Sequence, residues 1–240
     1  SHADLAEKAL LAGKDVFVEK PLALSCEELE RVQQAQRESR RILWAGFNRR
    51  YSALASRTKA FFAESSGRLV TTYRVNAGPL PDSHWYKDRR QGGRLLGEVC
   101  HFIDTISWIY GQTPDQVIAF GDGHGETLLQ EDLALALHYP DGSSAAITYS
   151  SGGSPRTSKE RVEILGRGHT VVIDDFKALT VDGRRERSQP VDKGHVTSLR
   201  HFADTLRGLR DPVNDMRASL DSTFAALLAA DSLTRGRTIA

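Results

Sequence analysis

Two short apolar runs, Val16-Phe-Val18 and Ile42-Leu-Trp-Ala-Gly46, flank a segment with helical hydrophobic spacing, and this alternation constrains the fold more than any other feature. Runs that are apolar at successive positions read as strands buried on both faces, the habit of parallel sheets. Ser1 to Gly13 reads as an amphipathic helix with Leu5, Ala9 and Leu10 on one face and Gly13 as its stop. Ser25 opens the next helix as a capping box with Glu28, and Leu29, Val32 and Ala35 carry an apolar stripe to about Arg40. Helix–strand–helix–strand is the grammar of a parallel α/β sheet. Two strands are too few for an independent doubly wound domain, and no Gly-x-Gly-x-x-Gly lies in or before them. The expectation is a chain that starts partway through a nucleotide-binding domain.

The first run continues as Val16-Phe-Val-Glu-Lys-Pro-Leu22. Glu19 and Lys20 therefore fall at the carboxyl end of a strand, where open α/β sheets build ligand crevices. Pro21 restricts Lys20 to extended geometry and admits a cis bond at modest cost, which fixes where the ammonium points. A surface lysine before a loop is the alternative. Charge gives little further direction: 32 basic against 31 acidic residues leave a net charge of +1, so no polyelectrolyte partner such as nucleic acid is implied. Cys26 and Cys100 make neither a disulfide framework nor a metal-ligand spacing, and no apolar stretch is long enough to span a membrane. A cytoplasmic protein is expected.

After Arg49 the pattern changes to strands of alternating character. Leu69–Val75, Gln116–Phe120, Asp132–Tyr139, Ser144–Tyr149, Arg161–Leu165, Thr170–Asp174 and Ala178–Val181 follow one another, with Pro140-Asp-Gly142 a strong hairpin signal. Helices near 195–209 and 217–234 close the chain. The fold class is α+β: a partial α/β remnant over 1–48, then an open-faced, predominantly antiparallel sheet over 49–240 with helices on one face. One face of such a sheet must be hidden, by its own helices or by a second copy of the chain.

One helix carries a second chemical signal. From Arg94 to Tyr110, Leu95, Leu96, Val99, Phe102, Ile103, Ile106 and Tyr110 share a broad buried face. Arg94, Glu98, His101 and Thr105 line its edge, so a Glu98–His101 hydrogen bond at i, i+3 could raise the histidine pKa. A surface pair flanking a core helix is the other reading. A metal would need a second such helix, so none is expected. Upstream, His84 and Trp85 could offer an aromatic face and a donor to a sugar. Asn48 and Arg49 end the second strand beside Lys20, and Arg49 could clamp an anionic group or form a structural salt bridge.

Ser1 to Leu22, Gly46-Phe-Asn-Arg-Arg-Tyr51 and Gly92-Gly-Arg-Leu-Leu-Gly-Glu-Val-Cys-His-Phe-Ile-Asp104 together resemble the glucose–fructose oxidoreductase / inositol dehydrogenase / MocA (Gfo/Idh/MocA) family. The resemblance spans essentially the whole chain. It implies an N-terminal Rossmann domain, a C-terminal sheet used for substrate binding and homo-oligomer contacts, and oxidation or reduction of a sugar or cyclitol hydroxyl carbon with NAD or NADP. By that likeness Lys20 sits beside the nicotinamide ribose and the reacting hydroxyl, Glu19 and Pro21 shape its turn, and His2 lies near the nicotinamide. His101 is the implied general acid/base. Many members place an aspartate four residues before that histidine; here the position is Gly97, and Glu98 is the candidate to take over. The glycine-rich phosphate loop is not among the 240 residues, so the chain as it stands is expected to bind dinucleotide poorly and to be inactive. The alternative is a non-catalytic binding or oligomerisation module that has lost its cofactor half.

Overall fold

The computed structural model describes residues 1–123 and 129–240. Helix α1 (His2–Leu11) is capped by Ser1 in a full capping box with Asp4. It packs on α2 (Cys26–Ser39), whose cap Ser25 accepts from Glu28 N at 3.2 Å. Strands β1 (Val16–Val18) and β2 (Leu43–Ala45) pair in parallel across this crossover. The buried face of α1 is Ala3, Ala6 and Leu10; Leu5, expected inside, is 69% exposed. The small alanines let the two helix backbones approach, which turns the larger Leu5 outward.

Residues from α3 (Ala53–Ala63) onward build the large sheet. Its strands are β3 (Leu69–Asn76), β4 (Gln116–Gly121), β5 (Leu133–His138), β6 (Ser144–Ser150), β7 (Glu160–Gly166), β8 (His169–Asp174), β9 (Ala178–Val181) and β10 (Arg184–Arg185). Their spatial order is β10-β9-β8-β7-β3-β6-β5-β4. Every neighbour pair is antiparallel except β3–β6, because β3 inserts between β6 and β7 instead of joining the end of the meander. The alternation is strict where it matters: Leu69, Thr71, Tyr73 and Val75 face the core, and Val70 and Thr72 face outward.

Three helices cover the inner face. These are α4 (Cys100–Tyr110), α6 (Val213–Arg235) and, beside them, α3, while α5 (His195–Leu206) leans on the small parallel sheet through Phe202, 5.5 Å from the Phe17 ring. Trp44 Nε1 of β2 donates to Ser198 Oγ of α5 at 3.2 Å, so the core runs continuously from α1 to α6. Two ion pairs are sealed in it. Arg50 forks onto Asp104, and Arg49 onto Glu160 at 2.8 and 2.9 Å. Such a pair adds modest net stability but is costly to break, because the surviving charge stays buried.

The segment read as one α-helix from Arg94 to Tyr110 is not uniform. Leu95–Val99 forms a π turn, and the α-helix proper begins at Cys100. Single π turns recur at functional sites, since one extra residue per turn re-aims the side chains that precede it.

Candidate active site

The carboxyl end of β1 opens onto a cleft of about 570 Å³ whose lining includes His2, Glu19, Lys20, Pro21 and Trp85. The Lys20–Pro21 bond is cis. His2 Nδ1 donates to Pro21 O at 2.9 Å, since a carbonyl can only accept. Gly46 lets Glu19 lie across the end of β2, because a Cβ there would meet Glu19 Oε2 at 2.8 Å.

Lys20 reaches out of this cleft to the π turn, where its ammonium donates to Gly97 O. Tyr86 OH donates to the same oxygen at 2.7 Å, and the ammonium lies 5.9 Å from the centre of the Tyr86 ring. Glycine is required at 97 for a simple reason: a Cβ would sit 2.3 Å from Tyr86 Cε1. Tyr86 thus fills the space that a side chain at position 97 would use.

His101 lies one turn further on, 6% exposed, with its ring edge-on to Phe47 at 5.9 Å. Its Nδ1 is buried without a hydrogen-bond partner among the described residues. Burial, then the positive charges of Arg49 and Lys20, push its pKa well below the ordinary histidine value, so the ring is neutral at neutral pH. Lys20 thus reaches the helix at Gly97, four residues before His101, while His101 itself is not among the residues that line the cleft.

Glu98 does not join them. Its carboxylate accepts from Tyr149 OH at 2.6 Å and Lys159 Nζ at 2.7 Å, and no hydrogen bond to His101 forms. The expected i, i+3 contact fails because the π turn rotates Glu98 toward β6 and β7. Burial works to raise its pKa, but Lys159 and the two hydrogen bonds outweigh that and hold it below the usual carboxylate value. Tyr149 OH also accepts from Arg94 Nη1 at 2.8 Å, and Arg94 continues to Glu131.

The substrate residues expected from sequence divide. Trp85 is 45% exposed and lines the Lys20 cleft, with His84 stacked beside it at 5.9 Å. Arg49 cannot clamp a ligand while both of its fork nitrogens serve Glu160, which also accepts from Lys193 Nζ at 2.5 Å and Tyr73 OH at 2.7 Å. Asn48 is buried and donates from Nδ2 to Lys193 O at 2.7 Å, a structural tie. The members that sequence reading missed are Tyr86, Tyr149 and Lys159. Tyr86 stood next to the noted Trp85; Tyr149 and Lys159 carry no local signal, because only strand pairing brings them to the helix. Among the described residues, no group of three or more His, Cys, Asp or Glu is placed to hold a metal ion.

Residues 1–47 match the family model described as "Oxidoreductase family, NAD-binding Rossmann fold", and residues 66–172 match the "GFO/IDH/MocA C-terminal domain". The chain belongs to the Gfo/Idh/MocA oxidoreductase family. Among Gfo/Idh/MocA relatives, scyllo-inositol 2-dehydrogenase (NAD(+)) of Bacillus subtilis is 24% identical, over 92% of this chain and 69% of that protein. The fold matches that of aldose-aldose oxidoreductase from Caulobacter crescentus complexed with glycerol, with TM-score 0.84, 19% identity, and coverage of 99% of this chain and 75% of the other. It also matches the WlbA dehydrogenase from Bordetella pertussis in complex with NADH and UDP-GlcNAcA, with TM-score 0.80, 23% identity, and coverage of 99% and 75%. The chain spans from 30% to 69% of the length of curated relatives such as the Bacillus subtilis putative oxidoreductase YteT and the scyllo-inositol enzyme. Among the described residues no helix is long and apolar enough to cross a membrane.

Proposed function

We propose that this chain carries the substrate domain and the nicotinamide end of the cofactor site of an NAD(P)-dependent oxidoreductase acting on a hydroxyl carbon of a sugar, sugar derivative or cyclitol. The observation that carries this reading is the seat of Lys20: its ammonium leaves the cleft of β1 and docks on Gly97 O, one turn before the buried His101. The cleft suits the nicotinamide ribose, with the rigid Pro21 wall, the Trp85 face, and polar groups from His2, Glu19 and Lys20 for its hydroxyls. When bound, NAD or NADP supplies the acceptor or donor of hydride.

The chain's own residues do the rest. His101, kept neutral by burial and by neighbouring cations, takes the proton from the hydroxyl that becomes a carbonyl and returns it in reverse. Among the described residues Lys20 is bound to a carbonyl and the face of a ring and to no carboxylate, so its charge is free to stabilise a developing alkoxide. Trp85 and His84 offer a stacking surface to the sugar. Glu98 anchors Lys159 and Tyr149 at the rim. Asn48, Arg49 and Glu160 form the buried floor. The division at residues 48/49 separates the parallel layer, which serves the cofactor, from the sheet, which serves substrate. The outer sheet face, with Val70, Phe120 and Leu165 exposed, is the surface for contact between copies. Two free cysteines suit a reducing cytoplasm.

The test is a screen of the full-length protein against inositols, aldoses and sugar acids with NAD and NADP, alongside Lys20→Ala. Turnover that falls by roughly 100-fold or more with the fold intact supports the assignment. Unchanged turnover removes Lys20 from the mechanism, and a protein that neither binds NADH nor turns over any substrate is the non-catalytic module.

A further inference from the structure

A second cleft, of about 1010 Å³, lies between the end of β3, the loop 153–159 and the turn after β8. Its lining holds Arg156, Lys159, Lys177 and Arg185 against two carboxylates, Asp174 and Asp175. Arg156, Lys177 and Arg185 make no salt bridge or side-chain hydrogen bond among the described residues, whereas the arginines at 31, 49, 50, 57, 90 and 94 are all paired with carboxylates. In a chain of net charge +1 this is a local surplus of positive charge. Like charges held around a concave surface repel one another and focus a positive potential that an anion would relieve.

The loop that carries Arg156 and Lys159 is fastened. Asn76 Nδ2 donates to Ser154 O at 2.7 Å and to Thr157 O at 3.4 Å, and Arg74 Nη1 donates to Ser158 O at 2.9 Å. Arg156 is thereby carried on a backbone that is already ordered, which lowers the entropic cost of binding. Lys159 belongs to both places: it lines this cleft, and its ammonium bonds Glu98 in the π turn. Glu98 follows Gly97, whose carbonyl holds Lys20. The basic cleft and the candidate active site are therefore joined through two consecutive residues.

Resting on the oxidoreductase reading above, we propose that this cleft binds an anionic group of the substrate, a carboxylate or a phosphate carried on the sugar. A guanidinium fork matches either group with two parallel hydrogen bonds, and an ammonium serves either as a point charge. The substrate is then held at two ends, with its anion on Arg156, Lys177 and Arg185 and its reacting hydroxyl toward Lys20 and His101.

The experiment compares the binding of glucuronate, glucose 6-phosphate and neutral glucose to the full-length protein by calorimetry at low and high salt. Arg156→Ala, Arg185→Ala and the charge-keeping Arg156→Lys are measured in parallel. The expected result is that at least one anion binds at least tenfold tighter than glucose and loses that preference in salt. Each alanine variant cuts the anion-to-glucose ratio about tenfold, and Arg156→Lys restores part of it. Glucuronate alone gaining the preference assigns a carboxylate; glucose 6-phosphate alone assigns a phosphate. The inference is overturned if glucose binds as well as both anions, or if the ratio is unmoved by the alanine variants. The two levels separate cleanly. Turnover of neutral sugars or cyclitols with nicotinamide but no anion preference defeats only the inference, and arginine-dependent anion binding without any nicotinamide-linked turnover defeats only the redox reading.

Discussion

Replacing Gly97 with alanine tests the close packing on which the placement of Lys20 depends. The added Cβ would lie 2.3 Å from Tyr86 Cε1, 2.6 Å from Cδ1 and 3.0 Å from Cζ, all inside van der Waals contact. The ring must move by about an ångström, which breaks the 2.7 Å bond from Tyr86 OH to Gly97 O. Overpacking of this kind costs about 1–3 kcal/mol. The lost hydrogen bond adds about 0.5–1.5 kcal/mol. Alanine returns about 0.5–1 kcal/mol through its better helical propensity, leaving a net destabilisation of about 0.5–4 kcal/mol. With Tyr86→Ala already in place the clash disappears, and Gly97→Ala becomes neutral or stabilising by up to about 1 kcal/mol. A double-mutant cycle in urea, followed by circular dichroism, should therefore return a coupling of about 1.5–4.5 kcal/mol, the propensity gain cancelling between backgrounds. Costs that simply add, within about 0.5 kcal/mol, would mean that Tyr86 does not occupy this space and that its bond to the π turn is not formed.

Glu160→Gln leaves Arg49 and Lys193 without their carboxylate and should cost about 3–5 kcal/mol in equilibrium unfolding. In the wild type, Glu160 is buried, which works to raise its pKa, but Arg49 and Lys193 outweigh this and depress it. Its contribution is thus complete above the unfolded glutamate value of about 4.3 and is lost as pH falls below it, so the variant should show a flatter acid-unfolding curve; an unchanged curve refutes the assignment. His101 titrates below the ordinary value of about 6.5, so the acid limb of kcat in the full-length protein should lie below that pH and vanish in His101→Asn if any turnover remains. Glu98→Gln should leave that limb in place, since Glu98 touches Tyr149 and Lys159 instead of His101; a limb displaced by a full unit would restore the direct pairing.

What the chain announces locally and what it does not follow from the range of the interactions involved. The β1 run, the Ser25 N-cap, the hairpin at Pro140-Asp-Gly142 and the buried stripe of α4 depend on neighbours a few residues away, and each was legible; the capping box expected with Glu28 forms only in half, because the Glu28 carboxylate accepts from Leu24 N instead of Ser25 N. The insertion of β3 between β6 and β7 depends on partners about 75 to 95 residues distant, and no turn signal encodes it. The site divides the same way. Lys20 and His101 stand out through proline geometry and helix spacing. The fate of Glu98 was decided by Tyr149 and Lys159, which reach it only across the sheet, and by a π turn that 100° spacing cannot register.

That π turn also separates the duties of two lysines. Lys159 meets a carboxylate at Glu98, whereas Lys20 meets the neighbouring Gly97 carbonyl and the Tyr86 ring. A carbonyl orients an ammonium without the opposing charge of a carboxylate, so Lys159 is ion-paired while Lys20 is held by a neutral acceptor. An aspartate at position 97 would reverse this, pairing with Lys20 and displacing Tyr86. The Gly97–Tyr86 combination therefore leaves this site more electropositive than one built around a carboxylate at the same position, which favours a bound group that carries or develops negative charge.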